Sequence, residues 1–500
     1  MSPEVNTLPN DCEKPITRTG WGLYHYFMIG MAAACAFSQA TALISIPFAI
    51  PLAVCDISLS TNMITTVDVC YSFGMAIGGF FIVSASDITG RKCMVPLTLM
   101  MIFGSTFACG FAHGPVMILT CIFTLGCGIA ANASCVKIHL AEILPPERRG
   151  SCLVFPDLFW TLGYIISATL SWLLTPSIIH HQNMDMRLTT WRLMFGLSGA
   201  CSIMVACASA LIQPSPRFLL FTKKYPEALD ILKHMYAVNN SRHCETYSMH
   251  PEDLEGCIDD FSLNNEPEPG SCTEHIIATL KRIQRLTSQL IKKRFLCVTA
   301  LLISTKMALF FEILAINIWL AKMLQYSGKS DCYFTAIDIL HLEGSSNQCK
   351  FSLSKALYRD FFLIALNILI GQLLLFLLVD RIGRRITIIG GCIACGASSF
   401  ALGYIHNIYL VQLTASSIFM MAYSLVDSAL NIVVIEAYPT AFRGTAAGGT
   451  QLFARFASGF VKWFLQTPCQ YSFIFIGALV LAAAALSYFL PELRGQAMVE

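Results

Sequence analysis

Asp87-Ile-Thr-Gly90-Arg91-Lys92 returns as Asp380-Arg-Ile-Gly383-Arg384-Arg385, 293 residues further on (87 to 380). A second pair keeps nearly the same spacing. Glu142-Ile-Leu-Pro145-Pro-Glu-Arg-Arg149-Gly150 returns as Glu436-Ala-Tyr-Pro439-Thr-Ala-Phe-Arg443-Gly444, 294 residues on (142 to 436). All four stretches fall in short gaps between long apolar runs. Motifs that recur in register mark a duplicated unit, and charged gaps between apolar runs make that unit a bundle of membrane helices.

Composition agrees. The chain is 55% hydrophobic and only 13% charged, with a mean hydropathy of +0.62. A soluble fold of 500 residues needs far more polar surface, so lipid must solvate much of this one. A net charge of +2 gives no handle for nucleic acid. Most of the 21 cysteines, among them Cys35, Cys109, Cys121, Cys392 and Cys395, sit inside apolar runs and serve as small apolar side chains.

A helix needs about 20 apolar residues to cross a bilayer. Runs of that kind predict spans near 24–47, 63–84, 93–112, 115–139, 153–174 and 190–212. A second set follows near 296–321, 357–379, 386–405, 408–433, 445–465 and 470–490. The expected fold is an all-α membrane protein of twelve transmembrane helices, arranged as two six-helix halves at 24–212 and 296–490. The first run is too long for a cleavable leader and reads as an uncleaved span. Lys and Arg concentrate in the signature gaps (Arg91, Lys92, Arg148, Arg149, Arg381, Arg384, Arg385, Arg443), whereas the opposite short loops carry little beyond Arg187. The positive-inside rule then puts both signatures and both termini (1–23 and 491–500) in the cytosol. The membrane is the plasma membrane or that of an intracellular vesicle.

Two longer connections remain. The cytosolic linker 213–295 carries short helices, the first from Pro226 to Val238 with Ala228, Leu229, Leu232, Met235 and Tyr236 on one helical face. It ends in a basic helix from Thr273 to Arg294, with Ile276, Leu280, Ile283 and Leu290 near one face. That helix either lies on an anionic leaflet or packs beneath the bundle. The connection 322–356 faces outward and holds Cys332 and Cys349, a candidate disulfide for which Cys55 is a competing partner. No N-x-S/T sequon falls in an outward loop.

The signature residues have a direct physical reading. Asp87 and Asp380 can accept hydrogen bonds from a neighbouring helix N-terminus. Gly90 and Gly383 permit a tight turn. Arg91 and Arg384 can pair with Glu142 and Glu436, with Arg149 and Arg443 as counter-charges and Lys92 and Arg385 completing the basic end. Together they form a cytosolic gate that parts in another conformation. The bland alternative is topology signalling plus helix capping.

Ionisable residues inside spans are functional candidates by default. Asp68, Asp157, Lys306, Glu312, Asp427, Arg455 and Lys462 qualify, although Asp68, Asp157 and Lys462 also suit capping or snorkelling near a span end. The candidate solute cavity comprises Gln39, Asn132, Trp160, Tyr164, Glu312, Asp427, Asn431 and Arg455. Trp160 and Tyr164 stand four apart and can form an aromatic wall. Each of the eight also has a packing or structural ion-pair reading. His180-His181 lacks ligand spacing, so no metal site is expected.

DxxGR[RK] after the second span of each half resembles the signature of the major facilitator superfamily, over nearly the whole chain. Pro214-Ser215-Pro216-Arg217-Phe218 with Pro226-Glu227-Ala228-Leu229, and Leu490-Pro491-Glu492 with Gly495, are similar to segments of its sugar and organic-ion porters. Ile50-Pro51 with Ser58-Leu59-Ser60, Phe159-Trp160, and Glu436-x-Tyr-Pro-Thr with Arg455 resemble the synaptic vesicle glycoprotein 2-like branch. Some positions depart from those patterns. Val83 and Phe376 replace a glycine, and Pro214 replaces a glutamate. Ser38-Gln39-Ala40-Thr41-Ala42 replaces an acidic pair in the first span, and Ile122 stands where many proton-coupled members carry arginine.

The resemblance implies a monomeric secondary transporter of a small organic solute, with a coupling ion as a further partner and no cofactor. The alternative is a non-transporting regulator, receptor or vesicle protein on the same scaffold. ATP drive is not expected, since Gly328-Lys329-Ser330 lacks the upstream glycine of a P-loop. No hydrolase constellation marks the chain as an enzyme.

Overall fold

Gly90 and Gly383 set the geometry of the signature end. Each is a single residue between two long helices, with φ of +91° and +96°. A side chain is strained in that region of backbone space, so glycine lets one helix stop and the next begin without a loop. The chain is described by a computed structural model covering residues 13–57, 61–174, 190–249, 254, 272–325, 355–405, 408–458 and 469–493.

Helices account for nearly all of the described residues. After the short α1 (Glu13–Arg18) come α2 (Leu23–Ile57), α3 (Thr61–Thr89), α4 (Arg91–Gly110), α5 (Pro115–Ile143), α6 (Arg149–Leu174) and α7 (Thr190–Ser209). The second set is α11 (Lys293–Gln325), α12 (Lys355–Ile382), α13 (Arg384–Tyr404), α14 (Tyr409–Ala437), α15 (Arg443–Ser458) and α16 (Cys469–Ser487). Among the described residues, eleven helices are long and apolar enough to cross a membrane. The twelfth position is held by α15, whose described part is 16 residues long. Several helices outrun the predicted spans, because hydropathy detects only the lipid-solvated stretch while backbone hydrogen bonding carries the helix on. The chain is a multi-pass membrane protein of the expected all-α class.

Within the first set, α2 packs on α6 and α7, α3 on α5, and α4 on α5 and α7; within the second, α13 packs on α14 and α16, α12 on α14, and α11 on α15 and α16. The two sets meet along α3 with α15 and along α12 with α6. The second helix of each set therefore lies against the fifth helix of the other. Apolar side chains such as Phe81, Leu97, Leu373 and Ile393 remain exposed on the outside, as lipid contact requires.

Three short helices connect the sets. In α8 (Pro216–Phe221) the Ser215 hydroxyl accepts the Phe218 N–H at 3.3 Å as an N-cap. In α9 (Tyr225–Asn240), Ala228, Leu229, Leu232 and Met235 are buried along one face. In α10 (Cys272–Leu290), Ile283, Leu286 and Leu290 are buried, while Ile277 and Leu280 are exposed. This basic helix packs beneath the bundle against α3, α15 and α11. Cys332, Cys349 and Lys462, and the side chains of Cys55 and Ile276, lie outside the described residues.

Candidate functional site

The signature end is built from four buried arginines and the carboxylates around them. Asp87, at the end of α3, points across the boundary between the two sets and caps α15. Its oxygens accept the backbone N–H groups of Gly444 at 3.1 Å and Thr445 at 2.7 Å, and the Thr445 hydroxyl at 3.0 Å. The dipole of α15 and three donors thus converge on one carboxylate. Arg91 pairs with Asp87 at 2.8 Å and with Glu142 at 3.2 Å, and its guanidinium faces the Phe218 ring at 5.1 Å. Glu142 also receives Arg443 from the other half, at 3.4 Å.

The second copy repeats this plan in the opposite direction. Asp380, at the end of α12, caps α6 by accepting the Ser151 N–H at 2.9 Å and the Ser151 hydroxyl. Arg384 pairs with Asp380 at 3.4 Å and with Glu436 at 3.0 Å. Arg149 and Arg443 each donate to the carbonyl five residues upstream, Leu144 at 3.4 Å and Tyr438 at 3.2 Å. The copies are not equivalent in burial. The Asp87 side chain is fully buried, whereas that of Asp380 is 27% exposed.

Two predicted members stand apart from this cluster. Lys92 is exposed, and Arg385 stacks over the Tyr488 ring at 4.4 Å. Glu492 takes a part that the motifs did not reveal, accepting the backbone N–H groups of Arg384 and Arg385 at 3.1 Å each and so capping α13. Tyr438 binds Thr299 through its hydroxyl at 2.7 Å, and burial pushes its phenol up to about 12. Ser151 and Thr445 were also missed. The signal existed: a hydroxyl residue follows Arg-Gly in both copies.

The interior candidates separate into groups. Gln39 donates to Asn132 at 2.5 Å, and Asn132 donates to the Val95 carbonyl at 3.2 Å and to Thr98 at 2.8 Å. Both are buried, and their bonds knit α2, α4 and α5 within the first half. Glu312 bonds Ser399 of α13 at 2.5 Å, inside the second half. Asp427 accepts from the Asn431 amide N–H at 3.1 Å, and the amide oxygen of Asn431 accepts from Lys306 at 2.9 Å. Arg455 lies over the Phe310 ring at 4.3 Å, within electrostatic reach of Asp427, Tyr71 and Tyr423. Asp68 is exposed.

Hydrogen bonds also join the halves in the interior. Ser428 donates to Asp157 at 2.8 Å, and Gln451 donates to Ser134 at 3.2 Å. Asp157 is held at the same time by Lys137 at 2.7 Å, and Ser428 receives Gln372 at 3.2 Å. Trp160 and Tyr164 follow Asp157 by three and seven residues, so they share its face of α6. Their ring centroids are 6.2 Å apart. Lys137 is the residue sequence reasoning passed over here, although a lone ammonium inside an apolar run was signal enough. Among the described residues no group of His, Cys, Asp and Glu could hold a metal.

The profile of the Major Facilitator Superfamily matches residues 27–461. Synaptic vesicle glycoprotein 2B of Mus musculus is 26% identical over 238 residues, 46% of this chain and 34% of that protein. Synaptic vesicle glycoprotein 2A of Rattus norvegicus is 26% identical over 246 residues, 48% of this chain and 32% of that protein. The match therefore spans about a third of those relatives. Among solved structures, the proton:xylose symporter XylE bound to 6-bromo-6-deoxy-D-glucose superposes with a TM-score of 0.70 at 16% identity, over 95% of this chain and 98% of that one. The inward open conformation of XylE from E. coli gives 0.58 at 16% identity, over 94% and 96%.

Proposed function

The chain belongs to the Major Facilitator Superfamily, and on that premise we propose that it is a secondary transporter moving a small organic solute by alternating access. The observation that carries the reading is the reciprocal capping at the signature end. Asp87 of one half holds α15 of the other, and Asp380 holds α6 in return. Such contacts latch two halves without a covalent link. They are charge-assisted and directional, so they form or break as units when the halves rock.

The gate comprises Asp87, Arg91, Glu142, Arg149, Asp380, Arg384, Glu436 and Arg443, with Gly90 and Gly383 as its turns. The Lys and Arg bias puts this end in the cytosol, with both termini. The conformation described here is then closed toward the cytosol. A solute entering from the other side reaches Tyr164 and Trp160 before Asp157 and Ser428, which lie nearer the signature end of α6 and α14. Lys306, Asp427, Asn431 and Arg455 supply charge beside them. Residues 24–212 and 296–490 act as the two moving bodies, and 213–295 links them.

Reconstituted vesicles test this reading. D-xylose and a panel of charged and neutral organic solutes should be offered with and without an imposed pH gradient. Saturable flux of one of them, lost when the Asp87 and Asp380 caps are both removed, is the expected result. Folded protein that carries none of the panel would favour a second reading, a non-transporting vesicle protein. The similarity to the synaptic vesicle glycoproteins is what recommends that alternative.

A further inference from the structure

Glu312 has no place in the gate or among the residues that join the halves, yet it is wholly buried in the middle of α11. One carboxyl oxygen accepts the Ser399 hydroxyl at 2.5 Å, and the other meets no hydrogen-bond partner among the described residues. No salt bridge to it exists among the described residues.

Among the described residues, the groups around Glu312 do not supply a cation. Cys392 and Cys395 approach from α13, and Tyr423 from α14. Arg455 of α15 acts on Tyr423, Tyr71 and Asp427. Lys306, on α11 itself, is engaged by Asn431. The charged pair of α12, Arg359 and Asp360, is closed on itself at 3.0 Å. Among its described side chains α16 offers only the exposed Tyr471.

An ionised carboxylate in such a place is severely penalised, because burial strips its hydration and no described counter-charge offsets the loss. A proton removes that penalty and turns the free oxygen into a donor. Among the described residues of the first half, Asp87, Glu142 and Asp157 each pair with a basic side chain instead. The buried pair of that half, Gln39 and Asn132, is an amide-to-amide bond that no proton exchange can alter.

We propose that Glu312, seated on Ser399, is a proton-binding site of the second half, taking up one proton as carboxylate becomes carboxylic acid and releasing it in the reverse step. The closed conformation holds the acid form. Release requires water to reach α11 and α13 when the second half is exposed in another conformation. The proton binding stands by itself; its use as a coupling ion rests on the transport reading above.

Infrared difference spectroscopy between mildly acidic and mildly alkaline buffer, on the full chain in lipid nanodiscs, reads the site directly. Wild type should show the carbonyl stretch of a buried protonated carboxyl. Glu312→Gln, which has the same shape and no charge, should remove that band, and Ser399→Ala should shift it without removing it. A wild type without the band, or a band unchanged in Glu312→Gln, overturns the proposal. So does a band lost whenever sodium replaces choline in the buffer, since the oxygens would then hold a metal cation. In vesicles, flux that responds to a pH gradient in wild type but not in Glu312→Gln supports the coupling role, and a response retained in the variant refutes it. The band without any wild-type flux would support the proton site and count against the transport reading alone.

Discussion

Asp87 and Thr445 are 358 residues apart in sequence, yet the Asp87 carboxylate accepts both the N–H and the hydroxyl of Thr445, at 2.7 and 3.0 Å. Asp380 and Ser151 repeat the relationship with the halves exchanged, through the Ser151 N–H at 2.9 Å and its hydroxyl. Each half therefore supplies one carboxylate and one helix N-terminus to the closure of the same end. In the proposed transport cycle neither half withdraws without breaking both caps, which would make the closure cooperative.

Neutralising either cap should open the signature end, and Asp87→Asn should do so more than Asp380→Asn. Hydrogen bonds to a charged group contribute about 1.5–3 kcal/mol each, more when water cannot replace them. Asp87 is fully buried, while the partly exposed Asp380 retains access to solvent. Thiol labelling of single cysteines placed along α3 and α15 measures the opening. A rate increase of about tenfold or more is expected for Asp87→Asn, since about 1.4 kcal/mol shifts a population tenfold. Equal or absent effects in the two variants would count against the latch.

The glycine after each signature arginine should be as restrictive as the carboxylate. A Cβ on Gly444 would meet the Asp87 carboxylate at 2.7 Å and the Val83 carbonyl at 2.8 Å, and a Cβ on Gly150 would run into the Asp380 carboxylate. Gly444→Ala and Gly150→Ala should therefore reproduce the opening seen on cap removal. Gly390→Ala is the control: nothing lies near its added methyl, and alanine favours a helix over glycine by about 1 kcal/mol. The same labelling assay separates the two outcomes. Closure unaffected by Gly444→Ala would mean that α3 and α15 can move apart at little cost.

What the sequence discloses about this end follows from distance along the chain. Asp87 with Arg91, and Asp380 with Arg384, lie four residues apart across a glycine turn, and duplication singles out Glu142 and Glu436 as their partners. The twelve apolar runs are legible for the same local reason, since a bilayer reads hydropathy residue by residue. The exchange of caps between halves is not local. It depends on α3 meeting α15 and α12 meeting α6, which no spacing encodes. The interior was read least well. Composition marks Gln39, Glu312 and Asp427 alike as polar residues in spans, but only packing reveals that they belong to three separate groups.

Glu142 should be the most sensitive carboxylate of the cluster, because it serves arginines from both halves, Arg91 at 3.2 Å and Arg443 at 3.4 Å. Removing one member of a buried ion pair costs about 3–5 kcal/mol, mostly from the charge left behind. Glu142→Gln should thus lower the thermal midpoint in nanodiscs more than Arg443→Ala does. The double variant should be less unstable than the sum of the two, since Arg443 is one of the charges that Glu142→Gln strands. Strict additivity would place the two side chains in independent roles.

The interior bridge separates two effects that a single substitution would confuse. Asp157 holds Lys137 of its own half at 2.7 Å and accepts Ser428 of the other half at 2.8 Å. Ser428→Ala removes the contact between halves, about 1.5–3 kcal/mol for a hydrogen bond to a charged group, and also the bond from Gln372, which keeps the Ser424 carbonyl at 3.1 Å. It should lower the thermal midpoint less than Asp157→Asn does while shifting the distance distribution between spin labels on α6 and α14. Asp157→Asn keeps an acceptor for Ser428 but strands the Lys137 ammonium, so it should lower the midpoint and disturb the distances less. If Ser428→Ala lowers stability without moving the labels, the bridge serves packing, and the rocking of the halves is governed at the signature end alone.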